Sequence, residues 1–253
     1  MGLLDGKVAV ITGAGSGMAK ASTKLFVAEG AKCVAADISG AEKDTAAEIG
    51  AEHGDVVLPV HCDVTQEDDV AALFDAAVAE FGKVDAILNV AGIGLSMPLH
   101  KFDMETYDKV MDVDVRGVFH VLKHGIPRLV DAGGGAIVNW SSVGGLNASE
   151  LGMPTSVYNA AKAAVVMLTK SASSEYGGKG VRVNCVCPGF IETEIMGASG
   201  GKNFPQMYEK ASLGRAGKPN EVAEVAAFLC SDRASFVSGA IIPVDGGWSA
   251  RLP

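Results

Sequence analysis

The chain has 253 residues, 48% of them hydrophobic and 20% charged, with a formal net charge of -9. That length and apolar fraction suffice for a large core in one domain, and an acidic chain without blocks of like charge is a poor partner for nucleic acid. No apolar run of about 18 residues marks a membrane span, no basic leader precedes the first strand-like segment, and five scattered cysteines make no disulfide framework, so the chain reads as cytoplasmic with reduced thiols.

The first predicted element is a strand at Val8 to Ile11, and Thr12-Gly13-Ala14-Gly15-Ser16-Gly17 follows it directly. Glycines between a strand and a helix let the backbone turn sharply and let a pyrophosphate approach free N–H groups at the helix start. The spacing departs from G-x-G-x-x-G, since Met18 stands at the third glycine position. A helix is expected over Ser22 to Glu29, then a strand at Cys33 to Ala36 that ends on Asp37. An acidic side chain there accepts from both ribose hydroxyls and repels a 2′-phosphate, and neither Ser16 nor Ile38 supplies a cation for one, so NAD is favoured over NADP.

Further along, a helix at Ala41 to Glu52, a strand at Val56 to Val60 running toward Asp63-Val64, and a helix at Glu67 to Phe81 precede a strand at Ala86 to Val90. One long helix is expected over Met104 to Val130. Within it His120 and His124 stand four apart, but no third ligand is suggested and no metal site is expected. The strand Ala136 to Trp140 leads into Ser141-Ser142, and the helix Ser156 to Tyr176 carries Tyr158 and Lys162 four residues apart, so both side chains share a face. A phenol of ordinary pKa about 10 is a weak base at neutral pH, and a neighbouring ammonium favours its phenolate. The strand Val181 to Val186 alternates Cys185 and Cys187 on one side. An insertion at Ile191 to Leu213, read as a lid over a pocket or a plain long loop, separates it from the helix Asn220 to Cys230 and the strand Ile241 to Val244.

Seven apolar strands alternating with six helices imply an α/β fold: a single-domain, Rossmann-like, doubly wound sheet of seven parallel strands flanked by helices.

The ordered set formed by the glycine loop, Asn89-Val90-Ala91-Gly92, Ser142 and Tyr158-Asn159-Ala160-Ala161-Lys162 resembles the short-chain dehydrogenase/reductase family over essentially the whole chain. The resemblance implies that Gly13, Gly15, Ser16, Gly17 and Met18 cradle a pyrophosphate, that Asp63 and Val64 face adenine, and that Asn89, Ala91 and Gly92 shape the strand end beside the cofactor. It also implies that Pro188, Gly189, Ile191 and Thr193 border the nicotinamide. Ser142, Tyr158 and Lys162 match the family's catalytic residues. Asp114 stands where the family's fourth catalytic residue is normally asparagine, and an ionised aspartate accepts hydrogen bonds without donating them.

The expected activity is NAD-dependent interconversion of a secondary alcohol and a ketone on a hydrophobic small molecule, and the resemblance implies a homotetramer built through the helices at Met104 to Val130 and Ser156 to Tyr176 and through the last strand. Two other readings share the motifs: a 3-oxoacyl-carrier-protein reductase, against which Asp37 and the net negative charge weigh, and a non-catalytic NAD-binding scaffold or sensor, against which Ser142, Tyr158 and Lys162 weigh.

Overall fold

Short β-branched runs, apolar on both sides, become strands here because helices cover both faces of the sheet. The computed structural model describes residues 2–148, 153–193 and 208–250. In chain order they form β1 (Val8–Thr12), α1 (Gly17–Ala28), β2 (Lys32–Asp37), α2 (Glu42–His53), β3 (Val57–His61), α3 (Glu67–Phe81) and β4 (Ala86–Asn89). These are followed by α4 (Met104–Met111), α5 (Gly117–Asp131), β5 (Gly135–Trp140), α6 (Ser156–Tyr176), β6 (Val181–Pro188), α7 (Pro219–Cys230) and β7 (Ile241–Val244).

The seven strands form one sheet in the order β3-β2-β1-β4-β5-β6-β7, and every pair is parallel. Alternate side chains feed two cores. Ala9 and Ile11 of β1 pack with Phe26, Ile49 and Leu229 on the side of α1, α2 and α7. Val10 of the same strand packs with Phe74, Leu129 and Val165 on the side of α3, α5 and α6. The chain winds outward from β1 to β3 and then returns to place β4 on the other side of β1, so a crevice opens at the carboxyl ends of β1 and β4.

Two elements differ from the sequence reading. α1 begins at Gly17, five residues before the apolar period becomes visible at Ser22, because glycines carry no hydropathy signal. The expected helix over Met104 to Val130 is two helices joined by a wide i→i+5 turn at Asp112–Arg116. This extra residue in the turn escapes a periodicity reading, since Val110, Val118 and Val121 keep the buried stripe running across it. Of the expected insertion, residues 194–207 lie outside the described residues, while Ile191 bridges Gly217 in parallel at its base.

Candidate active site

The crevice is a cavity of about 520 Å³ at the carboxyl end of the sheet. Gly13 and Gly17 hold positive φ values of 74° and 55°, conformations open to glycine. A Cβ on Gly13 would lie 3.1 Å from the Ala91 Cα, so the glycine loop and the end of β4 approach as closely as backbone allows. Thr12 binds them together: its buried hydroxyl accepts the N–H groups of both Val90 and Ala91 at 3.1 Å. Behind the loop, Thr45 of α2 donates to the Ala14 carbonyl. The first turn of α1 has no acidic residue and no side-chain cap, so its N–H groups and positive dipole end face the cavity bordered by Ser16, Gly17 and Met18.

Asp37 closes β2 at the far end of this crevice. Its Oδ2 accepts from Gly15 N at 2.9 Å and its Oδ1 from Ser39 N at 2.8 Å, which aims the carboxylate and leaves further lone pairs toward the cavity. A glycine loop, an open helix start and an aimed carboxylate fit a dinucleotide: anionic phosphates at one end, a ribose diol at the other. Asp63 and Val64 line the same space beyond β3. Asp63 is fixed by Thr65, and the Val64 carbonyl accepts from His120 Nδ1 at 3.0 Å. His124 instead faces Glu67, so the two histidines do not converge.

At the other end of the cavity β5 and α6 bring three side chains together. Ser142 follows β5, and its hydroxyl caps the short turn after it by accepting from Gly144 N at 3.1 Å. Tyr158 and Lys162 project from successive turns of α6, with the Lys162 Nζ 5.6 Å from the centroid of the Tyr158 ring. Ser142, Tyr158, Lys162, Pro188, Gly189, Ile191 and Thr193 all line the cavity that Asp37 lines. Ser141 also borders the cavity, but its hydroxyl is spent on the Lys162 carbonyl, to which it donates at 2.8 Å, tying β5 to α6. Between Ser142 and Tyr158, residues 149–152 lie outside the described residues, and Met97 N donates to Pro154 O beside them.

Lys162 is 4% exposed and Asp114 fully buried, and they form an ion pair at 3.2 Å. Lys162 Nζ also donates to the Trp140 carbonyl at 3.4 Å. Asp114 Oδ1 accepts a second bond from Ile93 N at 3.0 Å, whereas its Oδ2 is buried with no hydrogen-bond partner among the described residues. Burial pushes the Asp114 carboxyl above the usual carboxylate range, with the Lys162 ammonium opposing it. Burial also works to release the Lys162 proton, but the charges of Asp114 and Tyr158 outweigh it and hold the ammonium above its ordinary value. The proton therefore stays on the lysine.

Three expected residues stand outside the cavity wall. Gly15 serves through its N–H to Asp37, Asp114 through Lys162, and Asn89 as a buried strut whose amide donates to the Val118 carbonyl and to Asn139. Sequence reasoning missed Ile93, Gly94, Lys109 and Val113, which also line the cavity. The i,i+4 spacing of Lys109 and Val113 was the one available signal, and it is common to any helix face. Gly145 was missed as well: a Cβ there would lie 2.7 Å from the Lys162 carbonyl carbon, so it lets α6 approach Ser142.

A family profile described as enoyl-(acyl carrier protein) reductase matches residues 13–249. The chain is 42% identical to cis-4-hydroxycyclohexanecarboxylate dehydrogenase of Sinomonas cyclohexanicum over 96% of this chain and 97% of that one. Among solved structures it resembles levodione reductase, with a TM-score of 0.94 and 35% identity over 98% of this chain and 100% of the other. It also resembles a 3-ketoacyl-(acyl-carrier-protein) reductase from Brucella melitensis complexed with NADH, with a TM-score of 0.88 and 36% identity over 97% of this chain and 99% of the other.

Proposed function

The chain belongs to the short-chain dehydrogenase/reductase family, and from that premise we propose that it is an NAD-dependent enzyme interconverting a secondary alcohol and a ketone on a hydrophobic small molecule. The observation that carries the reading is one cavity bordered at one end by Asp37 and at the other by Ser142, Tyr158 and Lys162. A nicotinamide cofactor, when bound, supplies the hydride acceptor or donor. Asp37 would hold the adenosine ribose hydroxyls, the start of α1 the phosphates, and Ile191 and Thr193 the nicotinamide end. The aimed carboxylate supports NAD rather than NADP.

In the oxidising direction the Ser142 hydroxyl positions the alcohol oxygen, and the Tyr158 phenolate oxygen takes its proton as hydride leaves carbon. Lys162, kept protonated in a buried pocket, favours the phenolate. In the reducing direction Tyr158 returns the proton to the ketone oxygen. The protein is read as cytoplasmic. No helix among the described residues is long and apolar enough to cross a membrane.

A second reading, reduction of a 3-oxoacyl group on a carrier protein, is favoured by the likeness to the Brucella melitensis reductase. NADH absorbance across a panel of secondary alcohols, their ketones and a 3-oxoacyl thioester separates the two. Turnover of small alcohols with NAD is expected, and turnover of the thioester alone would select the second reading. Binding of NAD with no turnover of any compound would leave a non-catalytic sensor or scaffold.

A further inference from the structure

Resting on the alcohol–ketone reading, we propose that Asp114 is a counter-charge that sets the pH range in which Tyr158 works as a base. The base is activated by an ammonium, and an ammonium acts on a phenol in proportion to its uncompensated charge. Here that charge is not free. The Lys162 Nζ lies 3.2 Å from a carboxylate that is fully buried, so no solvent screens the pair. An asparagine in that position would supply the same oxygen to Ile93 N and leave the lysine charge whole; the aspartate supplies the oxygen and cancels the charge.

The surroundings are built around the pair. A Cβ on Gly92 would lie 2.6 Å from Asp114 Oδ1 and 3.0 Å from Lys162 Nζ, so only glycine leaves them room. The wide turn carries Asp114 into the interior, while Asp112 and Arg116 of the same turn pair with each other at 2.6 Å. From the packed elements the other ionisable groups are Lys109 of α4 on the cavity wall, His120 of α5, Tyr158 of α6 and Cys185 of β6. His120 is engaged by the Val64 carbonyl, and the adjoining Cys187 sulfur and burial push the Cys185 thiol up, so it is neutral. Lys109 is therefore the one further cation toward the cavity among these groups, and Asp114 the one anion touching Lys162.

The sign follows. When Asp114 is ionised, its negative charge keeps the proton on Tyr158, and alcohol oxidation rises only at more alkaline pH. Removing the charge without changing the shape moves that rise toward acid. The 5.6 Å and 3.2 Å separations put the carboxylate oxygen no more than about 9 Å from the centre of the phenol ring, and at an effective dielectric of about 20 a unit charge at that limit shifts an ionisation by about one pH unit.

The experiment compares the parent with Asp114→Asn and Asp114→Ser, both neutral and both able to accept from Ile93 N. The rising limb of kcat/KM for alcohol oxidation is expected to move about one unit toward acid in both; an unmoved limb, or one moved toward alkali, overturns the proposal. Ultraviolet tyrosinate titration, taken as the difference between each protein and its counterpart also carrying Tyr158→Phe, must shift the same way and needs no substrate. A shifted titration in a protein that turns over no alcohol would sink the alcohol reading and leave the counter-charge in place. Should neither variant fold, the side-chain carboxyl carbon of Asp114 in the unaltered protein decides by 13C NMR: ionised over the rising limb supports the proposal, neutral there overturns it.

Discussion

Asp37 answers to two demands at once, since both of its oxygens already hold backbone N–H groups of the glycine loop and the following turn. Replacement by alanine would therefore remove the proposed ribose acceptors and also release Gly15 N. With charge-assisted hydrogen bonds contributing about 1.5–3 kcal/mol each, Asp37→Ala is expected to weaken NAD binding by about 10- to 100-fold in calorimetric titration, and undiminished affinity would refute the assignment. Tyr158→Phe keeps the ring against Lys162 and deletes only the proton carrier; kcat is expected to fall by about 10²–10⁴ with NAD affinity retained, measured by NADH absorbance and titration. These residues were legible because a four-residue spacing and a strand-end acid survive in one dimension. Thr12 was not, since its task of accepting two N–H groups 78 and 79 residues away exists only in the folded chain.

Strands and most helices were legible because burial on both faces writes uninterrupted apolar runs, whereas the glycine-rich start of α1 and the wide turn between α4 and α5 leave no periodic mark. The close approach of β5 to α6 was equally hidden. Ser142 and Tyr158 face one cavity because Gly145 admits the backbone of α6: a Cβ there would meet the Ser141 Oγ at 2.5 Å and the Lys162 carbonyl oxygen at 2.8 Å. The serine hydroxyl can rotate, but the helix backbone cannot yield without moving Lys162. Gly145→Ala is accordingly expected to cost about 1–3 kcal/mol in urea unfolding and to lower kcat as well. A stability change without an activity change would show that the β5–α6 spacing does not set the geometry of the reacting groups.

At the scale of the molecule, doubly wound topology puts the glycine loop of the first half and Ser142, Tyr158 and Lys162 of the second half on one crevice, so the proposed cofactor would tie the two halves together. The helices α4, α5 and α6 also leave Met104, Phe119 and Met167 at 66%, 49% and 60% exposure, apolar side chains open to the homotetramer that the family resemblance implies. Ala161 and Val165 of α6 face the subunit's own core, so an association through that helix would use the side bearing Ala160 and Met167. Light scattering is expected to give four times the 25.9 kDa of one chain, and a monomeric mass would remove the proposal. A ligand that binds only the folded crevice stabilises it by mass action, about 2.7 kcal/mol at a hundredfold excess over Kd. For a chain of this size each kcal/mol raises Tm by about 2–4 °C, so NAD at that excess is expected to raise the midpoint by about 5–10 °C at fixed protein concentration. NADP at the same concentration must bring its 2′-phosphate against the Asp37 carboxylate and is expected to raise it by less than about 2 °C. Equal shifts from the two dinucleotides would mean that Asp37 does not meet the ribose, and the preference for NAD would fall with it.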